Sequence, residues 1–359
     1  MENFTRNQSF YTTSTTSVVW FSEEDNKSIP MACLYAVISF IAVFGNLLVI
    51  TAVCRDHTLR SYTSNYFLAN LAVADFFQGL IAIPLRILEV MAVGYNPNVF
   101  CRIAIATAIL FGSSSNLAIL VISIDRFFAV QYPYTYVRYS NIKCTYIAIA
   151  CSWSVAGLLS IMAATPLVWL IPVVSSRVCR FPIYLNQDYI LGMYVIVHAI
   201  PIGTVVLLYG FILKASLRHV RRIHVQELAV LESNAQYTNG HRSNIKEMSS
   251  GTIRRKKRHC ETIKQRKAAK TVSIIVGLFI LLVVPIIAID LAEMLGAPSA
   301  PEMLTRFCVF MIYANNCVNV LVYAGFNQDF RRAFKKILVQ CFRCIFGERP
   351  CRPIVSVMM

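Results

Sequence analysis

Seven apolar runs divide the chain, near residues 31–54, 65–91, 99–131, 144–170, 189–217, 267–295 and 303–325. Each is long enough to cross about 30 Å of hydrocarbon at about 1.5 Å of helical rise per residue. In lipid every backbone amide needs a partner within the structure, so isolated runs of this length must be helices. The ten-residue alternation of an outer-membrane barrel is missing. The fold class that follows is all-α, a seven-transmembrane-helix bundle. Composition agrees: 14% of residues are charged and 57% apolar, where a soluble domain carries about 25% charged residues. Nothing is low-complexity, no Gly-rich phosphate loop follows a strand, and 12 cysteines in 359 residues are too sparse for a small disulfide scaffold.

Two signals orient the bundle. Sequons at Asn3-Phe4-Thr5, Asn7-Gln8-Ser9 and Asn26-Lys27-Ser28 lie ahead of the first span, so residues 1–30 are expected to be a glycosylated extracellular segment. Basic residues collect on the opposite side: Arg55 and Arg60, Arg138 and Lys143, the loop 218–266, then Arg331, Arg332, Lys335 and Lys336. That side is expected to be cytoplasmic. Residues 1–30 lack a short apolar core with a cleavage site, so the first span is expected to serve as its own insertion signal. The net charge of +16 is therefore a topology signal and a partner surface rather than a nucleic-acid footprint.

The loop 218–266 carries Arg254-Arg255-Lys256-Lys257-Arg258. Beside a span such a run is juxtamembrane charge drawn to anionic lipid, or a helical extension that receives an intracellular protein. After the last span, residues 326–340 place Phe330, Phe334, Ile337 and Leu338 on one stripe, which predicts an amphipathic helix on the inner leaflet. Cys341, Cys344 and Cys351 open the tail 341–359; they are either S-acylated or plain reduced cytosolic cysteines.

Polar groups inside spans are costly and mark function or a structural partner. Asn46, Asp75, Ser115, Asn315 and Asn319 all fall in span interiors. Together with Gly45-Asn46, Leu71-Ala72-Val73-Ala74-Asp75, Asp125-Arg126-Phe127, Trp153, Pro201, Tyr209, Phe279, Pro285 and Asn319-Val320-Leu321-Val322-Tyr323, the chain resembles the rhodopsin-like (class A) G-protein-coupled receptors. The resemblance covers residues 31–340 in unbroken order, with a leaning toward the amine, adenosine and melanocortin branch. It implies a plasma-membrane receptor that is not an enzyme, with a heterotrimeric G protein, arrestin and a receptor kinase as partners and a small extracellular ligand. It implies a sodium ion beside Asp75, ringed by Ser115, Asn315 and Asn319, or a structural hydrogen-bond knot at the same place. Arg126, resting on Asp125 and released toward Tyr209 and Tyr323, would be the activation switch, and Cys101 and Cys179 the extracellular disulfide.

Departures from the family pattern carry expectations of their own. Phe127 replaces the usual tyrosine, Val320 the usual proline, and Val283 the tryptophan two residues before Pro285. Gln265 stands where many members carry an acid facing Arg126, which implies weak resting-state locking and raised basal activity. The amine-binding aspartate of the third span is Ala108, and the seventh span has no lysine for retinal, Tyr313 occupying that place. Phe181, His198, Asp290, Glu293 and Tyr313 remain as candidate ligand-binding residues, for an amine- or nucleoside-like small molecule. Asp290 and Glu293 lie one turn apart and could meet a cation; Glu293 could equally meet solvent, His198 could be a packing histidine, and Arg86 could pair with Glu89. A seven-helix transporter is the alternative, but internal repeats and paired helix breaks are missing. Ser233, Thr238, Ser243, Ser249, Ser250 and Thr252 offer loop phosphosites for arrestin recruitment, whereas the tail past Leu338 has only Ser356.

Overall fold

The computed structural model describes residues 23–91, 97–132, 135–136, 141–165, 168, 179, 181–211 and 273–345. Seven helices among them are long and apolar enough to cross a membrane: Ile29–Arg55, Ser64–Val90, Val99–Gln131, Ile142–Ala164, Gln187–Phe211, Ser273–Met294 and Glu302–Phe326. We number these spans one to seven. The sequons at Asn3 and Asn7 and the whole loop 218–266 lie outside the described residues, as do the ends expected for spans five and six beyond residue 211 and before residue 273, while Asn26-Lys27-Ser28 falls in the first turns of the helix Glu23–Arg55, which starts ahead of the expected residue 31.

Local chemistry sets the boundaries. Asn141 caps the fourth span by accepting from the Lys143 N–H at 2.9 Å, and Asn186 caps the fifth through the Asp188 N–H at 2.7 Å. The fourth span was expected to run to residue 170 but stops at Ala164. Thr165 is extended, with φ −87° and ψ 154°, because the ring of Pro166 excludes the helical conformation from the residue before it. The second span is a composite: helix Ser64–Phe77, a π-turn Gln78–Ala82 and helix Ile83–Val90 with Pro84 in its first turn. Pro84 has no N–H to continue an ordinary ladder, and the widened turn upstream absorbs the mismatch. The Ser39 hydroxyl donates to the Gly79 carbonyl in that turn at 2.7 Å.

Three apolar clusters fill the bundle. The largest joins Val49, Leu71, Ile119, Ile122, Phe279, Val320 and Tyr323. A second gathers Cys101, Ile105, Ile109, Leu159, Tyr184, Tyr189 and Tyr194, with Phe181 and Leu291 against it. The third packs Tyr35, Ala42 and Ile83 between spans one, two and seven. Phe40, Leu158, Ile161, Leu207 and Leu281 stay exposed, as residues facing lipid must.

The terminal helix spans Gln328–Ile345, starting after the extended Asn327 and running past the expected end at 340. Its buried face is Phe330, Ala333, Phe334 and Ile337, packed on the first cluster. Leu338, expected on that stripe, is exposed, because it lies about 80° around the helix from Phe330 at 100° per residue. The Lys336 ammonium reaches Asp56 at 3.4 Å and ties this helix to the turn after span one.

Candidate functional site

At the inner end of span three, Arg126 donates from Nε at 3.0 Å, and from a terminal nitrogen, to Oδ2 of Asp125. The other oxygen, Oδ1, accepts from the Tyr136 hydroxyl at 2.8 Å. One carboxylate thus holds the arginine on one side and the following loop on the other. The hydroxyl oxygens of Tyr209 and Tyr323 are buried with no hydrogen-bond partner, an arrangement that costs about 1–3 kcal/mol for each such group.

Midway through the bundle Asp75 is fully buried. Ser115 Oγ donates to its Oδ1 at 2.7 Å and Asn319 Nδ2 to its Oδ2 at 2.8 Å. Both donors are neutral, so the carboxylate has no counter-charge among the described residues, a state that either a small cation or a proton relieves. Carboxylate, hydroxyl and amide oxygens are the donor set a hard alkali cation takes, so these residues fit one. Asn315 is buried but makes no hydrogen bond to Asp75. Asn46 does not reach it either: its Nδ2 donates to the carbonyls of Ala42 at 2.8 Å and Asn316 at 3.0 Å, fastening span one to span seven. Those carbonyls are closer to a side chain rising from span one than the carboxylate is. In a parallel fastening, Trp153 Nε1 donates to Asn70 Oδ1 at 2.8 Å.

The other half is closed by a disulfide between Cys101 and Cys179, 78 residues apart. Glu89 accepts from the Cys179 backbone N–H at 2.8 Å and from Arg86 on the same oxygen. The Arg86 guanidinium carbon sits 6.0 Å from the Tyr35 ring centroid, and Tyr35 meets Tyr313 edge-on at 5.7 Å. Across the bundle Tyr194 donates its hydroxyl to Asp290 Oδ2 at 2.6 Å. The Tyr194 ring packs edge-on against His198, and His198 Nδ1 pairs with Asn116 Nδ2 at 3.2 Å. Glu293 accepts from the Ala300 N–H at 3.0 Å.

A family profile described as "7 transmembrane receptor (rhodopsin family)" matches residues 45–323. The chain belongs to this family. It is also similar to the D(1A) dopamine receptor of Didelphis virginiana, 28% identical over 333 residues, 87% of this chain and 73% of that one. A D(1) dopamine receptor of Carassius auratus is 28% identical over 346 residues, covering 91% and 93%. A D(1)-like dopamine receptor of Takifugu rubripes is 28% identical over 371 residues, covering 98% and 78%. The protein is therefore a seven-span membrane receptor of the G-protein-coupled class, not an enzyme.

Within this receptor the expected residues fall into separate groups. Asp125 and Arg126 meet, with Tyr209 and Tyr323 buried and not hydrogen-bonded to them; Asp75, Ser115 and Asn319 meet; Cys101 and Cys179 are bonded. Glu293 and Asp290, grouped by helical spacing, have different partners: the first closes the turn after span six and the second faces span five. Arg86 and Glu89 pair. Sequence reasoning missed Tyr136, which lies in a loop where no periodicity places it, and Gln78. The spacing of Gln78 from Asp75, three residues and thus one helical face, was a usable signal for it.

Proposed function

We propose that the receptor couples a small extracellular ligand, amine- or nucleoside-like, to a heterotrimeric G protein through the Asp125-Arg126-Phe127 segment. The observation that carries this reading is the inner-end geometry: Arg126 is held by Asp125, Asp125 by Tyr136, and two buried tyrosine hydroxyls wait without partners. That is a resting arrangement with the acceptors of a second one already in place. Release of Arg126 toward Tyr209 and Tyr323 satisfies both hydroxyls and opens the face on which a G protein docks. In the same proposal Asp75 and Ser115 hold a sodium ion, with Asn315 and Asn319 beside it. Bound there, the ion supplies the positive charge that the buried carboxylate lacks. Span one then runs inward from an extracellular N-terminus, the basic loop and terminal helix lie on the cytoplasmic side, Cys341 and Cys344 are lipid anchors, and a receptor kinase marks the loop hydroxyls for arrestin.

The test is nucleotide exchange on a panel of purified G proteins by membranes bearing the full chain, first without ligand and then with amines, nucleosides and small peptides. Exchange above empty membranes is expected, with Arg126→Ala removing at least nine-tenths of it at equal surface expression. Exchange untouched by Arg126→Ala would overturn the switch, and uptake of the test compound without exchange would favour a transporter.

A further inference from the structure

The third span is the most buried of the seven, yet Ala108 and Gly112 on it are partly exposed. At 100° per residue both lie opposite the lipid-facing side marked by the exposed Ile103. Their exposure therefore opens into the bundle. Ser115 continues the same stripe one turn further and is bonded to Asp75, which sets the register between spans two and three. One turn from Asp75 in that register is Gln78, whose amide is the nearest side chain to the space a Cβ on Gly112 would fill, 3.9 Å from both Oε1 and Nε2.

Gln78 is only 7% exposed, and its Oε1 is buried with no hydrogen-bond partner. Among the described residues its Nε2 makes no hydrogen bond either. Burying a carboxamide unpaired is unfavourable, and native structures avoid it unless something else completes the bonds. Here the amide starts the π-turn Gln78–Ala82, a local irregularity that recurs where helices serve a site, and Ser39 braces that turn from behind through the Gly79 carbonyl.

We infer that Gln78 is a ligand anchor, and that the group it takes is uncharged and carries a hydrogen-bond donor beside an acceptor, as an amide does, lying in the groove left by Ala108 and Gly112. The chemistry follows from the wall. A carboxamide offers one acceptor and two donors and no charge; span three supplies no acid at Ala108 to pair with an ammonium, and in the receptor reading the charge of Asp75, one turn deeper, is met by the sodium ion. Gly112 leaves the space of one side-chain carbon open beside the Gln78 amide, and a flat group lying edge-on along that opening is the shape the inference calls for. The inference rests on the receptor reading and names the ligand chemistry of that receptor.

Saturation-transfer NMR on the full-length receptor in lipid nanodiscs, with phenylacetamide and its ester counterpart methyl phenylacetate as probes, tests it. Wild type is expected to transfer magnetisation to phenylacetamide and more weakly to the ester, which cannot donate. Gln78→Met is expected to weaken phenylacetamide binding roughly threefold to tenfold, the worth of one net hydrogen bond, and Gly112→Leu to abolish it by filling the groove. Gln78→Met should also melt at a higher temperature than wild type without probe, because an unpaired buried amide is gone; this reading needs no ligand. Equal transfer in wild type and Gln78→Met overturns the proposal. So does no transfer in wild type whose nucleotide exchange is intact and sensitive to Arg126→Ala. Amide binding that requires Gln78 in a chain whose exchange ignores Arg126→Ala would instead uphold the anchor and overturn the receptor switch.

Discussion

Asp56 serves three groups with one carboxylate. Oδ1 accepts from the N–H groups of Thr58 at 2.9 Å and Leu59 at 3.4 Å, capping the short helix His57–Arg60, and Oδ2 meets Lys336. Burial pushes the carboxyl up, but the two backbone donors and the Lys336 ammonium outweigh it and hold the group below the usual carboxylate range. A depressed folded value contributes stability that is complete above the unfolded value near pH 4 and is lost as pH falls through the folded one. Asp56→Ala is expected to lower unfolding stability by about 0.5–2 kcal/mol at pH 7, with the gap to wild type narrowing as the pH is taken below about 4. Asp56→Asn keeps the cap and loses only the exposed ion pair, about 0–1 kcal/mol. Thermal melts of the three proteins across that pH range check both. At this scale Asp75, Ser115 and Asn319 were legible in the sequence, since a polar group in a lipid span announces itself. Tyr136 and the Glu89 contact to Cys179 were not, because a loop hydroxyl and a backbone N–H have no periodic signature.

Among the elements, span two shows what apolar patterning reads and what it misses. Its length and direction follow from the run of apolar residues, whereas the π-turn inside it depends on how Pro84 and the neighbouring span accommodate one another. At Gly79 spans one and two approach closely: a Cβ there would stand 2.7 Å from the Ala42 Cβ and 3.2 Å from the Val43 backbone nitrogen. Neither is the end of a flexible side chain, so Gly79→Ala must part the helices. The expected cost is about 1–3 kcal/mol, seen as an earlier thermal transition of the receptor in detergent, with Gly157→Ala as the neutral comparison because nothing lies within 4 Å of its added carbon. The end of span four was legible in retrospect from Thr165-Pro166, and the terminal helix was legible except at Leu338, where two equally apolar neighbours compete for the same face.

For the whole molecule the question is how firmly the resting arrangement is held. Among the described residues Arg126 pairs with its chain neighbour Asp125, while Gln265, which lies outside them, is neutral where an acid would add a second hold. Gln265→Glu is expected to lower ligand-free nucleotide exchange roughly fivefold, the population shift produced by about 1 kcal/mol of added attraction to one state. Unchanged exchange would show that span six takes no part in holding Arg126.

The carboxylate of Glu89 has a kinetic consequence. It joins Arg86 and the Cys179 N–H on a single oxygen, so parting Cys179 from span two breaks a charge-assisted hydrogen bond to a buried carboxylate, while the Arg86 pair stays intact. A rim fastened in this way is expected to slow a ligand's entry and departure alike, so that a ligand of modest equilibrium affinity would still have a long residence time, which dissociation kinetics of wild type and Glu89→Gln would check.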